Sequence, residues 1–145
     1  MTRATDLQPQ SFDRVLSSMC TVPNPAAKRA AERFLATNPG DPATFDSVAE
    51  LEREVVSKLG TVVGLDSPQG YVTAGGSEAN IQAVRAARNR TEVDDPNVVA
   101  PKSAHFSLTK AAELLDVELR RVETTADKRG DPDAMAAATD DKTAL

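Results

Sequence analysis

The sequence predicts an α/β fold, with a mostly parallel sheet flanked by helices. Short apolar stretches of strand character alternate with helical patterns from Gly70 to Val122, and that rhythm gives strand–helix–strand units with helices on the sheet. Within it, Gly70 to Asn89 reads GYVTAGGSEANIQAVRAARN, an extended apolar piece, a glycine turn and an amphipathic helix in immediate succession. Farther on, Asp131-Pro132 opens another helix and Thr143-Ala144-Leu145 resumes the strand pattern.

Residues 1–23 are polar and irregular, with one helical piece around Phe12 to Met19, and Pro23 and Pro25 bracket a turn. Ala26 to Ala36 is rich in strong helix formers, and Asn38-Pro39-Gly40-Asp41-Pro42 ends that helix. Ser47 and Glu50 form an S-x-x-E capping box. Val48, Leu51, Val55, Leu59, Val62 and Val63 then follow helical spacing, which predicts a helix over 47–63 stopped by Gly64. Gly60 sits inside it, where glycine is unfavourable.

Tyr71 to Thr73 reads as a short strand running into Gly75-Gly76. The helix from Ser77 to Arg88 turns Ile81, Val84 and Ala87 inward and Gln82, Arg85 and Arg88 outward. Its small residues Ala79, Ala83 and Ala86 suit close approach to a sheet. Asn97 to Ala100 is the second strand, Ser107 to Leu115 a helix, and Val117 to Val122 the third strand. Asp131 as N-cap with Pro132 behind it starts a helix over 132–139. The strand expected at Thr143 would leave the sheet cut at an open edge. The expected organisation is an N-terminal segment with short helices over 1–45 and a partial large domain over 46–145.

A chain of 145 residues with 40% hydrophobic residues can bury one core. No apolar run approaches the roughly 18 residues of a membrane span, and the N-terminus lacks the apolar region of a secretory signal. The single cysteine, Cys20, excludes an internal disulfide framework and a cysteine-rich zinc site. A cytoplasmic protein with no membrane partner and no metal is expected. The net charge of −5, with no basic cluster to offset it, disfavours nucleic acid as a partner. Asp127, Asp131, Asp133, Asp140 and Asp141 crowd the last third. Such a surface suits either a high-salt cytoplasm or an ordinary acidic protein.

The glycine turn has two readings. Gly75 and Gly76 let backbone approach a ligand, and the N–H groups of Gly76 and Ser77 stand at the positive end of a helix dipole, where a phosphate binds. Ser77 would be both N-cap and phosphate ligand. The other reading is a plain strand-to-helix connection capped by serine. The P-loop pattern G-x-x-x-x-G-K-[ST] and the dinucleotide pattern G-x-G-x-x-G are both absent from the turn.

The string GYVTAGGSEANIQAVRAARN resembles the phosphate loop of the group II pyridoxal-phosphate decarboxylases, and within them the archaeal L-tyrosine/L-aspartate decarboxylase branch. That family shows S-G-G-T-E-A-N, where this chain has Ala74 for the serine and keeps a hydroxyl with Ser77 for the threonine. FLATNPGDPATF, from Phe34 to Phe45, resembles the family's T-N-x-G-D-P segment. PKSAHFSLTKAAELL, from Pro101 to Leu115, resembles its P-x-x-A-H-F-S-x-x-K-A segment. The likeness runs from about Ser17 to the last residue. One departure is Asn24, where the family often has a histidine, which puts the handling of substrate in question.

The resemblance implies the N-terminal part of the large domain of a fold-type I pyridoxal-phosphate-dependent transferase fold. It implies pyridoxal 5'-phosphate as cofactor, with Gly75, Gly76 and Ser77 on its phosphate and His105, the single histidine, stacked on its ring. Read from its position alone, His105 is rather a core histidine hydrogen-bonded after a strand. Glu78 and Asn80 match the motif and also suit a structural role closing the turn. The implied reaction is decarboxylation of an L-amino acid, L-aspartate to β-alanine first, tyrosine or glutamate second, in a homodimer.

The family's Schiff-base lysine lies in a His-Lys pair, and its pyridine-nitrogen partner is an aspartate. Lys28, Lys58, Lys102, Lys110, Lys128 and Lys142 all lack a preceding histidine, and no aspartate here fits the second role. The chain is therefore expected to be the N-terminal part of a longer enzyme, inactive by itself. The alternatives are a non-catalytic remnant and an unrelated phosphate-ligand-binding α/β module.

Overall fold

The computed structural model describes residues 21–36 and 44–145. The expected helical piece at Phe12 to Met19 and the breaker at 38–42 lie outside them. The chain divides into two compact units, residues 1–51 and 52–145.

In the first unit, α1 (Pro25–Arg33) starts where the Asn24 side chain accepts the Ala26 N–H at 2.9 Å, with Pro25 at the first helical position. An asparagine cap followed by proline is a favoured start, so the helix begins one residue before the expected Ala26. It closes at Arg33 rather than Ala36, and buries none of its residues. The helix α2 (Asp46–Val63) begins one residue before the expected Ser47. Val48 and Ala49 both donate to the Phe45 carbonyl, at 2.9 and 3.2 Å, so Ser47 falls inside the first turn.

The end of α2 lies in the second unit. Gly64 has φ +75, Leu65 donates to the Gly60 carbonyl at 2.9 Å and Gly64 to the Thr61 carbonyl at 3.3 Å. This pair of bonds is a Schellman stop, as expected of Gly64. Gly60 is buried because Pro68 lies on it: an added Cβ would come within 2.4 Å of Pro68 Cγ. Of the apolar series at helical spacing, Val55 is half-buried, but Leu59, Val62 and Val63 are exposed.

The remaining elements are α3 (Gly76–Arg90), β1 (Asn97–Pro101), α4 (Ser107–Leu115), β2 (Glu118–Val122) and α5 (Pro132–Ala138). β1 and β2 are parallel, Asn97 opposite Glu118 and Pro101 opposite Val122. On the other edge of β1, Ala144 donates to the Asn97 carbonyl and Val99 to the Leu145 carbonyl, each at 2.9 Å, and Asn97 and Thr143 form a parallel bridge. Alternate residues of β1 thus serve opposite neighbours, which makes it the central strand, as its burial from Asn97 to Ala100 requires. Where a strand was expected, Thr143 to Leu145 pairs with β1 through an isolated bridge and backbone hydrogen bonds without forming a strand of its own.

Val84 of α3, Val98 of β1, Ala111 of α4 and Val117 form the buried core, with Ile81, Leu108, Leu115 and Leu119 packed against it. The inward face expected of α3 is the one observed. Its small residues Ala79, Ala83 and Ala86 are exposed, however, and do not lie on a sheet. Asp131 caps α5, accepting from Asp133 and Ala134 at 3.0 and 3.1 Å, with Pro132 behind it. No helix among the described residues is long and apolar enough to cross a membrane.

Tyr71 to Thr73 is not a strand. The Val72 N–H donates to Glu52 Oε1 at 2.8 Å, and the Ala74 N–H to Glu78 Oε2 at 2.8 Å. Carboxylates take the donors that a sheet ladder would have used, and Tyr71 and Val72 stay exposed.

Candidate functional site

The turn ahead of α3 is closed by its own side chains. The Thr73 hydroxyl donates to the Gly75 carbonyl at 3.1 Å, and the Glu78 carboxylate reaches back to Ala74. Gly75 is the N-cap, and no side chain caps it. Ser77 was expected there; it lies instead at the second helical position, exposed, because α3 starts at Gly76. Glu78 has the turn-closing role that its position allowed.

The N–H groups of Gly76, Ser77 and Glu78 meet no acceptor among the described residues. They are the orphan donors of a helix start, at the positive end of its dipole. A Cβ added at Gly75 or Gly76 would meet nothing within 4 Å, and the φ of 164° at Gly75 is ordinary extended backbone. Nothing within the fold asks for glycine at either place. The pair instead leaves open space directly beside exposed donors, which is the room a phosphate needs. The residues present fit that group, and the Ser77 hydroxyl adds one more donor within the same turn.

His105 follows the carboxyl end of β1, the end at which α/β sheets collect ligands. It is exposed, not a core histidine. Its Nδ1 is 2.9 Å from Ser107 Oγ and accepts the Ser107 N–H at 3.2 Å, so the imidazole caps the start of α4. Ser107 is fully buried, and its Oγ accepts from Asn80 Nδ2 at 2.7 Å. Asn80 therefore does not close its own turn. It ties α3 to the loop that carries His105. The sequence placed Ser107 at a helix start but not in the site; its place two residues after the histidine was the available signal.

The lysines that flank His105 are engaged elsewhere. Lys102 pairs with Glu123, and the Lys110 ammonium lies 4.7 Å from the centroid of the Phe106 ring. Phe106 in turn packs its ring 4.3 Å from that of His105, tilted by 40°. A second polar cluster lies at the amino end of β1. There Arg120 donates to Asp140 at 2.6 Å and pairs with Glu118 at 3.1 Å. The Arg120 guanidinium, with the Asn97 amide, holds the Asp140 carboxyl far below the usual carboxylate range, and the two carboxylates raise Arg120. Among the described residues no group of His, Cys, Asp and Glu could hold a metal ion.

A cleft of about 550 Å³ is lined by Ala83, Ala86, Ala87, Arg90, Thr143 and Leu145 among others. Neither the Gly75–Ser77 turn nor His105 lines it. Its alanine-rich wall offers little chemistry, so the donors of the turn and the imidazole are the better candidate site.

No protein-family model matches the chain. It is 63% identical over 137 residues to a probable L-aspartate decarboxylase of Halobacterium salinarum, a match covering 94% of this chain and 39% of that protein. It is 50% identical over 132 residues to a probable L-tyrosine/L-aspartate decarboxylase of Methanothrix thermoacetophila, covering 91% of this chain and 34% of the relative. A solved structure of glutamate decarboxylase from Lactobacillus brevis shares the fold, with a TM-score of 0.70 at 22% identity over 86% of this chain and 32% of that one. The chain thus spans 39% of the length of the first of these relatives. The fold is the one expected, the N-terminal part of a fold-type I large domain.

Proposed function

Because this chain is homologous to the N-terminal part of the archaeal L-aspartate and L-tyrosine/L-aspartate decarboxylases, we propose that it forms the phosphate-binding part of a pyridoxal-phosphate-dependent amino-acid carboxy-lyase. The observation that carries this is the glycine pair at Gly75 and Gly76, open to solvent beside unpaired helix donors. L-Aspartate, giving β-alanine, is the substrate the names of the relatives favour, with tyrosine second. The cofactor, when bound, supplies an electron sink for the carbanion left as CO2 departs.

The chain's own residues would bind and orient. The N–H groups of Gly76, Ser77 and Glu78, with the Ser77 hydroxyl, hold the phosphate through charge-assisted hydrogen bonds. His105 would lay its flat face against the cofactor ring and help orient it. No lysine of this chain follows a histidine, as the family's covalent lysine does, so by this reading the covalent lysine is one this chain does not supply. By this reading the chain alone does not decarboxylate, and a homodimer of the longer enzyme is the working form.

Incubation of the chain with pyridoxal phosphate, borohydride reduction and adduct mapping by mass spectrometry test the reading. The expected result is no single stoichiometric lysine adduct and no CO2 release from L-aspartate. One stoichiometric adduct together with CO2 release would overturn the assignment of the lysine to another segment.

A further inference from the structure

We propose that Asn80 and Ser107 are positioning residues for His105, forming a one-way hydrogen-bond relay that sets the plane and the tautomer of its imidazole and leaves the proton on Nε2. The proposal rests on the reading of His105 as the residue that lies against the cofactor.

The direction of the relay follows from what each atom can do. The Ser107 N–H can only donate, and it points at His105 Nδ1 from 3.2 Å. Nδ1 must therefore be the unprotonated nitrogen of the neutral ring. The Ser107 hydroxyl, 2.9 Å from the same nitrogen, then donates to it as well. Having given its one proton to Nδ1, Oγ must accept at its other partner, and Asn80 presents the amide nitrogen to it at 2.7 Å. Every donor then has an acceptor, with the Nδ1 lone pair shared between the N–H and the hydroxyl of Ser107. An asparagine turned to present its oxygen would draw the hydroxyl proton away from the imidazole.

Burial makes the arrangement selective. Ser107 is 0% exposed and Asn80 is half-buried, so water does not readily replace either partner. Rotation of the ring about the Cβ–Cγ bond would swing the in-plane Nδ1 lone pair away from both donors at once, which fixes the ring plane. Phe106 packs beside it at 4.3 Å. Nε2–H has no partner among the described residues. A neutral donor is thus presented from a ring of set orientation, suited to an anionic group such as a substrate carboxylate. The contact joins residues 27 apart in sequence, which makes the first turns of α3 and the His105 loop one unit.

The chain's single histidine makes the test direct. In the 145-residue chain labelled with 15N-histidine, nitrogen shifts and one-bond couplings read which nitrogen carries the proton. Wild type is expected to show Nε2–H with an accepting Nδ1. Asn80→Asp keeps the shape but takes the Ser107 proton, and should raise the Nδ1–H to Nε2–H ratio about threefold to tenfold, the range one hydrogen bond carries. Ser107→Ala should shift it the same way. Nδ1–H in wild type overturns the proposal without any variant having to fold. Nitrogen signals unchanged in Asn80→Asp overturn it too, since a purely structural tie between α3 and α4 gives that result. Cofactor retention and turnover of His105→Ala in the full-length enzyme test the cofactor role separately. An imidazole with the expected Nε2–H pattern beside unchanged turnover in His105→Ala supports the relay and overturns the cofactor role.

Discussion

Asn97 and Thr143, 46 residues apart in sequence, hold each other directly: the Thr143 hydroxyl donates to Asn97 Oδ1 at 2.8 Å while their backbones pair as parallel neighbours. Asn97 is fully buried in the central strand and gives its amide N–H to Asp140 Oδ1 at 2.8 Å. A polar side chain at the heart of the sheet is tolerated because both ends are satisfied. It ties the segment at Thr143 to β1.

Asn97→Ala should therefore destabilise the second unit by about 1–3 kcal/mol, about 0.5–1.5 kcal/mol for each of the two hydrogen bonds lost. Chemical denaturation measures it. The loss should be accompanied by faster amide exchange at Ala144, whose N–H bonds to Asn97. A stability equal to wild type would show that the Thr143 segment holds without this side chain.

Asp140 makes the fold acid-sensitive. Its carboxyl is lowered, first by the hydrogen bond from Arg120 and then by that from Asn97. A carboxyl lowered in the folded state contributes stability that is present above its unfolded value, about 4, and lost as pH falls toward the folded one. The melting temperature of wild type should drop through that window more steeply than that of Asp140→Asn. Parallel curves for the two proteins would place the acid response elsewhere.

Gly60→Ala sets two effects against each other. Alanine gains about 1 kcal/mol of helix propensity over glycine, but the new Cβ would stand 2.4 Å from Pro68 Cγ. Overpacking costs about 1–3 kcal/mol, so the variant should be less stable in denaturant titration. A stabilised variant would mean that the 64–68 segment moves aside without cost.

Gly76→Asp separates folding from binding. A Cβ added there meets nothing within 4 Å, and a carboxylate at a helix start is favourable by about 0.3–1 kcal/mol. Stability should hold while cofactor retention, read by absorbance in the full-length enzyme, is abolished. Ser77→Ala should weaken retention by only about 0.5–2 kcal/mol. Equal retention in Gly76→Asp and wild type would leave the turn a structural connection.

In that same full-length enzyme, His105→Phe should keep much of the cofactor binding and lose turnover, whereas His105→Ala should lose both. A flat face suffices for stacking, while the oriented Nε2–H does not survive in phenylalanine. Unchanged turnover in His105→Ala would reduce His105 to its role as cap of α4.

Much of this molecule is legible from neighbouring residues. Asp131-Pro132 starts α5, Gly64 stops α2, and the bounds of α4 follow from its own pattern, because caps and stops act within one helical turn. The inward face of α3 was equally readable, since Ile81 and Val84 share a side by helical geometry alone. The glycine turn was visible as a motif, and its open space agrees with a ligand rather than with backbone need.

Other features depended on residues that meet only after folding. Tyr71 to Thr73 has strand composition, but a strand exists only with a partner, and Glu52 and Glu78 took its donors. Gly60 looked like a flaw in a helix until Pro68 lay on it. His105 and Asn80 were each apparent from their motifs, yet their link runs through buried Ser107. Local signals are short-ranged and therefore written in short stretches of sequence. Hydrogen-bond partners and close approaches are chosen by the tertiary fold, which alone brings α3, α4 and the end of β1 together.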